Sequence, residues 1–83
     1  MTEYEVWWVS ADSLSGGDVI LINGRPVEVW SIAHGVKTVR VTFDVPGQRK
    51  ADSRASYQRD CTVRKVVGDG RRDAVVEARR ADR

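Results

Sequence analysis

GGDVILINGRPVEVWSIAHGVKTVRVTF, residues 16–43, carries the signals that decide the fold. Asn23-Gly24 separates the apolar run Val19-Ile20-Leu21-Ile22 from the segment Val27–Ala33. Both turn residues tolerate positive φ, so they predict a two-residue type I′ hairpin. The run before the turn is apolar on both faces, as expected of a strand at the centre of a closed barrel. In the segment after it, Val27 and Val29 lie on one face, whereas Trp30 and Ile32 lie on the other. A bulge near Val29-Trp30 is expected to bring both pairs to the core. His34-Gly35-Val36-Lys37 reads as the next turn. Beyond it the alternation is clean: Val39, Val41 and Phe43 inward, Thr38, Arg40, Thr42 and Asp44 outward. Short strands joined by tight turns predict a small, strongly bent antiparallel sheet.

The flanking segments extend that sheet. Tyr4-Glu5-Val6-Trp7-Trp8-Val9 is rich in aromatic and β-branched residues and predicts a first strand. Adjacent residues point to opposite faces, so one of the two tryptophans is expected in the core and its neighbour nearer solvent. Ser10–Gly17 is a loop of turn formers with Leu14 tucked beneath it as an anchor. Pro46-Gly47 turns the chain. The polar stretch Gln48–Asp60 reads as an irregular strand pairing with the segment after it, or as a long mobile loop, with Ala55 and Tyr57 inward. Cys61–Val67 is a final strand with Cys61 and Val63 inward, stopped by Gly68-Asp69-Gly70. In the tail Arg71–Arg83, Ala74, Val75 and Ala78 form an apolar stripe at helical spacing, and a helix this short is either docked or frayed. Five to six antiparallel strands without a long helix predict an all-β domain, a small SH3-like barrel over residues 1–67. A basic C-terminal tail follows over 68–83, as a short helix or a frayed end. An OB-type barrel is the nearest competitor, but nothing supplies the helix it places between its third and fourth strands.

Eighty-three residues make one domain with a small core. Cys61 is the only cysteine, so no internal disulfide is available, which suits a reducing compartment. Glu3 and Glu5 stand where a secretory leader carries basic residues, and no apolar run exceeds four residues. A cytoplasmic protein with no membrane partner is the expectation. The net charge of +2 is unevenly spread: residues 1–23 carry four carboxylates and no Lys or Arg, while residues 24–67 carry nine basic and four acidic residues. Eleven of the 14 basic residues are Arg, which reads equally as a binding surface or as the codon usage of a GC-rich genome.

Leu14 to Val29, with Gly-Asp-Val-Ile, then Asn-Gly-Arg-Pro and Val-Glu-Val, resembles the start of the SH3-like domain in translation proteins such as elongation factor P. The resemblance spans residues 11–43 and implies the fold. The family's long loop with a modifiable residue at its tip is here only His34-Gly35-Val36-Lys37, and its later oligonucleotide-binding domains have no counterpart. Lys37 does not inherit that loop's function, and the resemblance implies no ribosomal role.

Three classes of chemistry are open to such a chain. The first is nucleic-acid binding through a basic, Arg-rich face of Arg25, Lys37, Arg40, Arg49, Lys50, Arg54 and Arg64, where phosphate contacts release counterions. Trp7 or Trp30 would stack a base if exposed. The second is protein–protein interaction, as an adaptor or regulatory module of a phage or bacterium, through Tyr4, Trp7, Tyr57 or a free strand edge. The third is catalysis, which is not expected. His34 is the only histidine and has no acidic neighbour, no Gly-x-Ser-x-Gly or phosphate-cradling loop occurs, and one His with one Cys cannot close a zinc site. No cofactor, metal or small-molecule substrate is expected, and an inward Cys61 would not be reactive.

Overall fold

The computed structural model describes residues 4–80; residues 1–3 of the expected barrel span and 81–83 of the expected tail lie outside the described residues. Six strands form: β1 (Glu5–Ser10), β2 (Val19–Ile22), β3 (Arg25–His34), β4 (Thr38–Asp44), β5 (Arg54–Gln58) and β6 (Thr62–Val67). One helix, α1 (Arg71–Arg80), follows. Every neighbouring pair is antiparallel, in the order β1-β6-β2-β3-β4-β5, so β5 pairs back onto β4 and the expected pairing with the segment after it is corrected: β6 lies instead between β1 and β2. The domain is all-β with a short C-terminal helix.

The hairpin between β2 and β3 has the expected chemistry. Asn23 and Gly24 both adopt positive φ, 52° and 80°, and Ile22 pairs with Arg25 across the turn. Pro26, the second residue of β3, pairs with Leu21. The alternation of the ladder turns the Pro26 nitrogen away from β2, so its missing N–H costs no bond there. The bulge is also present, with the register slipping between Val29 and Ser31. Its extra residue is Trp30. The slip switches the inward parity from Val27 and Val29 to Ile32, all three packed in or against the core, and throws Trp30 outward to 56% exposure. The expectation that Trp30 reaches the core is thereby corrected. One residue of the bulged strand has no cross-strand partner, and here it is the bulky one.

One cluster fills the concave side of the sheet: Leu14, Ile20, Val29, Val39, Val41, Phe43 and Val63. Val9 of β1 and both Ala55 and Tyr57 of β5 pack against it. Those strands stand at opposite ends of the strand order, so sharing one core requires the sheet to curl. No ladder joins β1 to β5 among the described residues, and both strands keep an open edge. Leu14 anchors its loop as expected. Asp18 fixes the loop further: its carboxylate accepts from the Ser15 N–H at 2.9 Å and meets Lys65 Nζ at 3.5 Å.

A second cluster lies on the convex side. Val19 and Val66 are fully buried against Ala74 of α1, with Tyr4, Val6, Leu21 and Val75 around them. The stripe Ala74-Val75-Ala78 therefore docks the helix, which is tied at its start by Arg71 to the Gly17 carbonyl (2.8 Å) and near its end by Arg79 to Glu28 (3.1 Å). This explains the double-sided apolar run of β2. Ile20 and Ile22 face the curled core, while Val19 and Leu21 face the helix, so closure of a barrel is not what buries the second face.

Candidate nucleic-acid interface and exposed tryptophans

α1 lies over β2, β3 and β6, where Arg79 meets Glu28, and the convex side of β4 and β5 lies beyond it. Register sets its rows: Ser31 opposite the buried Thr42 opposite Arg54, then Ala33 opposite Arg40 opposite Ser56, then Thr38 opposite Gln58. Arg40 and Arg54 are thus diagonal neighbours on adjacent strands, about 7–8 Å apart. Both are exposed. No carboxylate stands in these rows. Acidic residues begin in the next row, where Asp44 opposite Glu28 is balanced by Lys50 (2.9 Å) and Arg79.

Charge pairing sorts the basic residues expected at a site. Arg49 meets Asp52 at 3.4 Å, and Lys50 meets Asp44 and lies over the Trp30 ring, 5.7 Å from its centroid. Arg25, Lys37, Arg40 and Arg54 have no carboxylate partner among the described residues. Arg25 opens β3 beside the hairpin, and Lys37 sits in the turn before β4. That turn borders two shallow hollows. One, about 180 Å³, is lined by Ala33, His34, Gly35, Thr38, Arg40 and Ser56. The other, about 510 Å³, is lined by Val36, Lys37, Thr38, Gln58, Arg59 and Asp60. Lys37, Arg40 and Arg54 therefore follow one another along these strands, with Arg54 in the row beside the bulge that turns out Trp30 and with Lys50 over that ring.

Arg64 and Trp7 are not part of it. They lie at the β1–β6 end of the sheet and on opposite faces, because Trp7 is registered with Lys65 and Arg64 with Trp8. Neither Trp7 nor Trp8 is in the core: they are 62% and 67% exposed. The expectation of one core tryptophan fails because β1 is an edge strand. The concave core ends at Val9, and the helix-side cluster ends at Val6, so both rings overhang. The Arg64 guanidinium covers part of Trp8, 5.8 Å from the ring centroid.

Tyr57 packs against the core, as its strand position predicts, and so offers little ring to a partner. Burial, with a smaller contribution from Cys61, pushes its phenol above the ordinary value of 10. Cys61 itself is exposed, contrary to the inward expectation. The strand starts one residue later than expected, and Cys61 belongs to the turn, its N–H donating to Gln58 and its carbonyl accepting from Ala11. Trp8 is the functional candidate that sequence reasoning misses, although two adjacent tryptophans in one strand must occupy both faces. The hollow around Arg40 has no sequence signal, because backbone at Gly35 and side chains from three strands shape it.

Among the described residues, no helix is long and apolar enough to cross a membrane, and no three His, Cys, Asp or Glu residues gather. No family model, curated protein or solved structure matches this chain.

Proposed function

We propose that the chain is a small non-enzymatic binding module that takes a single-stranded nucleic acid across the convex face of β3–β5. The observation that carries this reading is that Arg40 and Arg54 are diagonal neighbours in rows that hold no carboxylate and have no ion-pair partner among the described residues. Arg49, Lys50, Arg59, Lys65 and Arg79 are each paired with a carboxylate, whereas Arg40, Arg54 and Lys37 leave their charge to an external anion. The hollow beside Arg40 is of a size for a phosphate or sugar, and Thr38, Ser56 and the Gly35 backbone supply further polar groups. Trp30 at the end of the face offers a ring on which a base stacks.

The test is titration with a short oligonucleotide at low salt, followed by amide shifts. Shifts centred on Arg40, Arg54 and Ser56 are expected. Replacing both arginines, Arg40→Ala with Arg54→Ala, should flatten the logarithmic salt dependence by about 1.4, at roughly 0.7 for each phosphate no longer neutralised. Unchanged spectra at low salt would end this reading.

A second reading, protein–protein interaction, draws on a separate observation: Trp7 and Trp8 are exposed on the open edge of β1.

A further inference from the structure

The β1 edge is shaped for one occupant. The Ala11 N–H donates to the Cys61 carbonyl at 2.7 Å, and an antiparallel ladder alternates from there. Val9, Trp7 and Glu5 therefore direct their backbone groups to β6, and Val6, Trp8 and Ser10 direct theirs to the open side. Soluble proteins guard such an edge with Lys, Pro, bulges or a covering segment. Between Glu5 and Ser10 there is no Lys, Arg, Pro or bulge, and two large apolar rings flank the edge, one on each face. The opposite edge, β5, carries Arg54, Ser56 and Gln58 on its outward positions and is guarded.

We propose that a second copy of this chain occupies the β1 edge, in a two-fold antiparallel pair centred on Trp8. In that register Trp8 of one copy faces Trp8 of the other on the convex side. Trp7 faces Val9 on the concave side, and Val6 faces Ser10. Every backbone group left open on Val6, Trp8 and Ser10 gains a partner. Glu5 falls opposite Ala11, so no like charges meet. Each Trp8 keeps its own Arg64 on the side away from the two-fold axis, giving a row Arg64–Trp8–Trp8–Arg64. A register one pair shorter would set the Glu5 carboxylate opposite Val9. At roughly 150–250 Å² per fully buried ring, the exposed parts of four tryptophans supply about 400–650 Å². With the strand backbones the contact reaches about 1,000 Å², the lower limit of a specific interface. The assembly is therefore a weak, closed dimer that forms in the micromolar range. It does not depend on the nucleic-acid reading, which concerns the other end of the sheet.

The test is sedimentation of the full chain from about 1 to 500 μM, without nucleic acid. A reversible monomer–dimer equilibrium is expected for the natural sequence. Trp8→Lys and Trp8→Glu should each be monomeric throughout, with β-sheet circular dichroism retained, because like charges then meet on the axis. Mixing the two variants should restore a dimer, since opposite charges then meet. A natural chain that stays monomeric at the highest concentration overturns the proposal and leaves the edge to a different partner strand. So does a dimer that survives either substitution, or a mixture that fails to pair.

Discussion

The two open edges of the sheet, β1 and β5, are built from the same kind of backbone and finished differently. β1 presents Trp7 and Trp8, more than half exposed, with one carboxylate and no basic residue between Glu5 and Ser10. β5 alternates Ala55 and Tyr57 on the core with Arg54, Ser56 and Gln58 in water. Unpaired N–H and C=O groups invite pairing at either edge. At β5 a charged, rotamer-rich Arg54 discourages a second strand and leaves a cation free for an anion. At β1 the flanking rings reward burial. The difference teaches that an edge's side chains, more than its hydrogen bonds, decide what kind of partner it accepts.

Both edges hang on one core, so the largest effect comes from beneath them. Ile20, 1% exposed, contacts the cluster that Val9 of β1 and Tyr57 of β5 share. Ile20→Ala should cost about 2–5 kcal/mol in urea denaturation, a large fraction of a small domain's stability. Self-association and oligonucleotide binding should then fall together. Loss of one without the other would show that the two ends fold independently.

A substitution at β5 separates the edges. Arg54→Glu reverses a charge on the proposed nucleic-acid face and should lower oligonucleotide affinity about tenfold or more at low salt, since like charge then meets phosphate. The sedimentation profile should not change. A shift in dimerisation with this variant would place β5, and not β1, at the self-contact.

The smallest effect sits on the inner side of β5. The folded chain raises the Tyr57 phenol above 10, chiefly by burying it, so it holds the phenolic proton more tightly than the unfolded chain does. That contribution to stability is complete below pH about 10 and is lost as pH rises through the folded value. Melting temperatures measured on the alkaline side should fall less steeply for Tyr57→Phe than for the natural sequence. Parallel curves for the two chains would mean that the phenol is no better shielded than in the unfolded state.

Much of the fold is legible in single residues. Asn23-Gly24 specifies the hairpin, Val39-Val41-Phe43 the inward face of β4, Leu14 the anchor, and Ala74-Val75-Ala78 the docking stripe. The bulge at Val29-Trp30 is readable from the switch of apolar parity. These are local signals: each concerns which side of one strand or helix is apolar, and periodicity alone answers that. The site is less legible. Arg40 is an outward residue by alternation, but that Arg54 stands diagonally beside it depends on the register of β4 with β5 across an irregular connection, residues 45–53.

By itself the amino-acid sequence determined an all-β chain with its turns, its bulge and a small helical end, because backbone conformation and facial patterning are written in neighbours a few residues apart. Only the tertiary structure decided which strands stand at the edges. That placement left Trp7 and Trp8 overhanging the core, while the bulge turned out Trp30, the turn before β6 exposed Cys61, and α1 covered the second face of β2. The physical reason is that burial depends on what lies across the sheet and above it. Strand order sets those neighbours through contacts between residues far apart in the chain, and no local pattern reports them.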